Sequence, residues 1–164
     1  GAANAPGNRS PVAEANIAED PEAAAQVFQA LDNIVMVPLD LTMRQVFEQQ
    51  HHQQLLDSDR PFARAIGEML TLYIRFYEDK LGRKACALHD PAAAWFAVEG
   101  LEGCLAPKVR VVIDDTHGPS RGQTICDLRG KYNGFPPQAD ANCTVVLDYD
   151  QQLAPRLTEK LLSV

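Results

Sequence analysis

"DPEAAAQVFQALDNIVMVPLDLT", residues 20–42, decides the fold class. Asp20 can cap a helix, Pro21 suits the first helical position, and Glu22 favours the positive end of the helix dipole. Strong helix formers follow, with an apolar face at Ala24, Val27, Phe28 and Leu31. Ile34 to Val37 is then a short unbroken apolar run, the form expected of a buried parallel strand. A helix feeding a buried strand is the sequence form of an α/β unit.

Outward from that stretch, residues 1–18 read as loop, rich in Gly, Pro, Asn and Ser. On the other side, Thr42 is expected to begin a polar helix that runs to Leu56 and breaks at "DSDR", residues 57–60. A longer helix is predicted from about Pro61 to Lys80, with Phe62, Ile66, Met69, Leu70, Tyr73 and Tyr77 spaced three or four apart and Gly82 as a left-handed cap. Asp90-Pro91 starts another helix. The last third changes character: "KVRVVID" and "GQTICDL" are strands bracketing the turn "DTHGPSR". "NCTVVLDYD" is a further strand, and "QQLAPRLTEKLL" a terminal helix with Pro155 in its first turn. The expectation is an α/β fold, a mostly parallel sheet flanked by helices with a small antiparallel hairpin near the C-terminus, in one domain over residues 1–164.

At 164 residues and 46% hydrophobic, the chain can bury one sizeable core. The formal net charge of −7 argues against nucleic acid or an anionic membrane as partner, since both select basic surfaces. The four cysteines form no C-x-x-C pair, so free thiols in a reducing compartment are expected, and a soluble, cytoplasmic protein with them.

The chemistry-bearing candidates each have a plain alternative. In "CALHDPAAAWF", residues 86–96, His89 and Asp90 sit at a loop–helix junction. Asp-Pro is a common helix start, as Asp20-Pro21 shows, yet a carboxylate can bind a hard cation and an imidazole can move a proton near neutral pH. Asn8, Glu14 and Asn16 either satisfy loop backbone or orient sugar hydroxyls. Tyr73 and Tyr77, one turn apart, either pack in the core or wall a flat aromatic ligand. His51 and His52 are adjacent and so do not share a helix face, which disfavours a metal site there.

Several of these pieces occur together in one family. "PGN", "AEANI" and "DPEAA" in residues 6–25, then "MVPLDLT", the Tyr73/Tyr77 helix, "LHDP" at 88–91 and "RGQTICD" at 121–127 follow one another in the order found in the C-terminal half of inosine–uridine-preferring nucleoside hydrolases, which the chain resembles. The resemblance implies the Rossmann-like fold of that family and hydrolysis of the N-glycosidic bond of ribonucleosides to ribose and free base. It implies that Asp90 ligates Ca2+ and contacts ribose, and that His89 is a general acid near the leaving base. It implies that Asn8, Glu14 and Asn16 hold the ribose hydroxyls and that Tyr73 and Tyr77 border the base. A homodimer or homotetramer is implied in the same way. The family's N-terminal aspartate cluster, D-x-D-x-x-x-D-D, has no counterpart here. The sequence therefore reads as a half that begins midway through the fold, and a non-catalytic fragment or interaction module stays open as the alternative.

Overall fold

The computed structural model describes residues 1–164. In chain order the elements are α1 (Ala15–Glu19), α2 (Pro21–Ala30), β1 (Ile34–Met36), α3 (Leu39–Thr42), β2 (Val46–Glu48), α4 (Gln49–Leu56), α5 (Pro61–Leu81), β3 (Ala85–Ala87) and α6 (Asp90–Glu99). They continue with β4 (Cys104–Leu105), β5 (Lys108–Val109), β6 (Val111–Ile113), β7 (Thr124–Cys126), a 3-10 turn (Arg129–Asn133), β8 (Cys143–Val145), β9 (Asp148–Tyr149) and α7 (Leu153–Ser163). The chain divides into two compact units, one of Gly1–Leu41 with Glu99–Asp150, the other of Thr42–Val98 with Gln151–Val164.

In the first unit, α2 starts as its sequence dictates: Asp20 Oδ1 accepts from the Ala23 amide at 2.9 Å and Pro21 opens the helix. Its buried stripe is Pro21, Ala25 and Phe28, and the expected face members Val27 and Leu31 are about half exposed. β1 pairs parallel with β8, as expected of the Ile34–Val37 run, but the strand is not buried as expected: Val35 is 51% exposed and only Met36 of Ile34–Met36 is buried. The expectation of a mostly parallel sheet is not met. β8 pairs antiparallel with β5, β6 with β7, and β4 with β9, so β1/β8 is the one parallel pair in a set of short sheets. The cause lies in single sequence runs that split. "KVRVVID" leaves one sheet at Val109 and enters another at Val111, because Asn142, buried at 5% exposure, intercepts the strand. Its Oδ1 accepts from the Val111 amide at 2.8 Å, and its Nδ2 donates to the carbonyls of Phe28 (2.6 Å) and Val111 (3.0 Å). "NCTVVLDYD" is likewise shared between β8 and β9. Alternation of side chains cannot reveal such a switch of partners.

The expected hairpin near the C-terminus is β6–β7. Its turn is held by Asp114, which accepts from the Thr116 amide at 2.9 Å, the Thr116 hydroxyl at 2.6 Å and the Ser120 hydroxyl. The core of this unit gathers Ile17, Phe28, Met36, Val109, Val111, Ile113 and Val145.

In the second unit, Thr42 ends a short helix instead of beginning a long one, and Val46–Glu48 is a strand paired antiparallel with β3. Phe47 decides this. Only 1% of it is exposed, and a strand on Ala85–Ala87 buries it where a solvated helix would not. Glu48 and His51 then form a capping box that starts α4. The "DSDR" break and the 21-residue α5 stand as expected, and Gly82 ends α5 at φ 66°, where only glycine is unstrained. Yet α5 buries Ala63, Gly67, Ile74 and Tyr77, while Phe62, Met69, Tyr73 and Phe76 are exposed. The sequence periodicity therefore marks the buried face only in part: Tyr77 is buried and Ile66 and Leu70 are half-buried, while at Gly67 the lack of a side chain lets Leu55 and Leu56 of α4 approach. Gln45 ties the unit's ends together. It is 2% exposed, its Oε1 accepts from the Leu153 amide at 2.8 Å, and its Nε2 donates to the Gln151 carbonyl at 3.1 Å. No helix of the chain is long and apolar enough to cross a membrane. All four cysteines are free; burial pushes the thiols of Cys86 and Cys143 up to about 11 and that of Cys126 to about 12, so they sit as inert thiols.

Candidate active site

The candidate residues fall into two groups, one in each compact unit. Asn8, Glu14 and Asn16 belong to the first. The loop before α1 folds back so closely that Gly7 has no room for a side chain; a Cβ there would stand 2.3 Å from the Ala13 carbonyl oxygen. The loop's entry is pinned by Asp40, whose Oδ2 accepts from the Ala3 amide at 2.7 Å and whose Oδ1 accepts from those of Asn4 (2.7 Å) and Ala5 (2.8 Å). Asn8 Oδ1 accepts from the Ala15 amide at 2.9 Å, and Glu14 caps α1 through the Asn16 amide at 3.1 Å. The second oxygen of Glu14 lies 2.7 Å from the Gly1 backbone nitrogen. The plain reading of Asn8 and Glu14, that they satisfy loop backbone, is thus correct for their acceptor atoms. The Asn8 amide N–H groups and the exposed Asn16 side chain retain capacity for a ligand.

His89, Asp90, Tyr73 and Tyr77 belong to the second unit and form one chain of contacts. β3, the short buried run Ala85–Ala87, delivers His89 to the start of α6. Both ring nitrogens are engaged: Nδ1 lies 2.7 Å from the Thr42 hydroxyl, and Nε2 lies 2.8 Å from the Tyr77 hydroxyl. Tyr77, 8% exposed, packs in turn on Tyr73, with ring centroids 5.0 Å apart. Tyr73 is 39% exposed and forms the outer end. Desolvation of its phenol holds its pKa well above the ordinary tyrosine value, so it stays protonated at neutral pH.

Asp90 differs from Asp20 in the way that matters. Asp20 precedes α2 and caps it through the Ala23 amide, whereas Asp90 is the first residue of α6 itself and its side chain is exposed. The two histidines in α4 have local roles: His51 Nδ1 accepts from the Glu48 amide at 3.2 Å, and His52 Nε2 lies 2.7 Å from the Gly67 carbonyl oxygen.

A hard cation such as Ca2+ takes about six to eight oxygens. No three His, Cys, Asp or Glu side chains of this chain gather into a group that could hold a metal, so the residues present do not by themselves fit one. Asp90 is a single candidate ligand.

Sequence reasoning passed over Asp40 and Thr42 as functional residues. Both lie in "PLDLT", which was visible as a family segment, but nothing local says that one carboxylate gathers three distant amides or that the hydroxyl reaches a histidine 47 positions on.

Comparison with known proteins gives this arrangement a context. Residues 1–154 match the family described as inosine-uridine preferring nucleoside hydrolase. The pyrimidine-specific ribonucleoside hydrolase RihA of Salmonella paratyphi B is 31% identical over 160 residues, covering 93% of this chain and 47% of the relative. The inosine-uridine preferring nucleoside hydrolase of Crithidia fasciculata is 32% identical over 145 residues, covering 88% of this chain and 45% of the relative. Among solved structures, the plant nucleoside hydrolase PpNRh1 superposes with a TM-score of 0.85 at 25% identity, over 100% of this chain and 52% of that one. The purine-preferring ribonucleoside hydrolase from Gardnerella vaginalis does so with a TM-score of 0.80 at 27% identity, over 99% of this chain and 49% of that one.

The fold is therefore that of about half a nucleoside hydrolase, and the chain belongs to the inosine-uridine preferring nucleoside hydrolase family. It spans about half the length of the relatives it matches.

Proposed function

We propose that this chain is the C-terminal part of an enzyme that hydrolyses the N-glycosidic bond of ribonucleosides, giving ribose and free base. The observation that carries the reading is an exposed Asp90 at the first position of α6, directly after a His89 whose Nε2 lies 2.8 Å from the Tyr77 hydroxyl.

Cleavage of such a bond passes through an oxocarbenium-like sugar while negative charge grows on the departing base. Tyr73 and Tyr77 border the base in this reading, and His89 is the acid behind them. The proton that rests on the free base is balanced by the one lost from the attacking water, so the side chains end as they began. Asn8, Glu14 and Asn16 are assigned to the ribose hydroxyls. Asp90 is assigned to the ribose and, as one oxygen ligand, to the calcium on which the family depends; the remaining ligands lie outside this chain, and no step is derived through the metal. A homo-oligomer and a cytoplasmic location complete the proposal by family likeness.

The test is release of free base from inosine and from uridine with calcium present, by the chain alone and by the chain combined with an N-terminal half from a relative. Release from the combination, lowered about 10²–10⁴-fold by His89→Ala, is expected. A folded pair that releases nothing refutes the proposal.

A further inference from the structure

We propose that Thr42 is the positioning residue that holds the neutral His89 ring with its proton on Nε2, and so leaves the Tyr77 hydroxyl to donate away from the ring. This concerns the ring in its neutral state, before it takes up the second proton it would deliver as an acid, and it rests on the reading of His89 given above for its catalytic meaning, though not for its geometry.

Each proton along this series needs an acceptor. Thr42 is 3% exposed, and the partner of its hydroxyl is His89 Nδ1 at 2.7 Å. A neutral imidazole has one N–H and one bare nitrogen. If Nδ1 carried the proton it would donate to Oγ1, and the buried Thr42 O–H would be left with no acceptor. Leaving a buried donor unmade biases such an equilibrium by about 5- to 150-fold. The Thr42 hydroxyl therefore donates to Nδ1, and the ring proton sits on Nε2.

The rest of the chain then has one direction. Nε2–H donates to the Tyr77 oxygen at 2.8 Å. The Tyr77 proton is left to point away from the ring, on the side where Tyr73 packs with ring centroids 5.0 Å apart. In the opposite tautomer Tyr77 donates inward to a bare Nε2, presents only lone pairs outward, and the series ends on an orphaned hydroxyl at Thr42. An outward donor suits a leaving base, on which negative charge grows; an outward acceptor does not.

The tautomer can be read without turnover. The chain is labelled with 15N in its four histidines, and ring nitrogens are correlated with ring carbon-bound protons at about pH 8, above the ordinary histidine range. His89 signals are assigned by their loss in His89→Asn. A protonated, pyrrole-type Nε2 and a bare, hydrogen-bonded Nδ1 are expected in the native chain and in Thr42→Ser, which keeps the hydroxyl. Thr42→Val should move the Nδ1 signal to that of a nitrogen without a donor. A native ring protonated on Nδ1 overturns the inference, whether or not the valine variant folds. So does a folded Thr42→Val whose His89 signals match the native ones. If the tautomer is as stated but the combined halves release no base, the inference about Thr42 stands and the hydrolase reading is what fails.

Discussion

Replacing Asp40 with alanine should loosen the loop that carries Asn8 while leaving the rest of its unit folded. One carboxylate receives the amides of Ala3, Asn4 and Ala5, all at 2.7–2.8 Å. The Asn4 bond is exposed, so water replaces most of it; the Ala3 and Ala5 bonds are partly buried. A hydrogen bond to a charged acceptor is worth about 1.5–3 kcal/mol net. Two such bonds sharing one acceptor, discounted for partial exposure, come to about 3 kcal/mol, which makes local opening cheaper by a factor on the order of 10². Amide hydrogen exchange at Ala3, Asn4 and Ala5 reads this directly. Asp40→Asn should fall between native and alanine. Its carbonyl oxygen can serve the two amides now on Oδ1, but its NH2 would face the Ala3 N–H, donor to donor. Asp40 has further interactions, so a urea midpoint is the companion measurement. If protection at Ala3–Ala5 is native-like in Asp40→Ala, or falls no more than elsewhere in Gly1–Leu41, the carboxylate does not hold the loop.

Asn142→Asp should lower stability by more than about 3 kcal/mol by urea unfolding, because an oxygen would replace the amide nitrogen that faces two carbonyls at 2.6 and 3.0 Å; a change below about 1 kcal/mol would show that the site relaxes. His51 gives a pH dependence. Burial lowers its pKa against a smaller opposing pull from Glu48, and its Nδ1 must be bare to accept the Glu48 amide. The folded pKa lies below the unfolded one, so the stabilisation is complete above the ordinary histidine value of about 6.5 and is lost as pH falls below it. The urea midpoint of the native chain should therefore drop more steeply between about pH 7 and 5 than that of His51→Gln; parallel slopes would count against the linkage. Phe47→Ala should cost about 3–5 kcal/mol, since the ring is 1% exposed; the cost expected of a solvated helix position, under about 1 kcal/mol, would contradict the strand assignment. Tyr77→Phe, assayed for base release in the combined halves, should reduce kcat by about 10²-fold with a smaller change in KM; a loss confined to KM would assign Tyr77 to binding.

Much of the local fold was legible in the sequence for a local reason. Asp20-Pro21, Gly82 and the Asp114 turn each act on backbone within a few residues, so their chemistry could be read where it stands. The same locality made Asp90 look like a second Asp20, and only coordinates separate a carboxylate that precedes and caps its helix from an exposed one at the first helical position. Family segments pointed to His89, Tyr73 and Tyr77 as site residues, but neither their wiring nor the role of Thr42 follows from spacing, because the hydroxyl and the ring are 47 residues apart.

By itself, then, the sequence determined what depends on neighbours along the chain: helix starts and stops, the β6–β7 turn, the one parallel β1 run and the family segments that carry the candidate residues. Tertiary structure decided what depends on partners across it. Asn142 splits one apolar run between two sheets, Phe47 pulls a helix-like stretch into a strand, and Ala63 and Gly67 join Ile74 and Tyr77 on the inside of α5 while Phe62 and Met69 stay outside. The physical reason is common to all three. A backbone amide or an apolar ring is indifferent along the chain to which distant group satisfies it, and packing in three dimensions makes the choice.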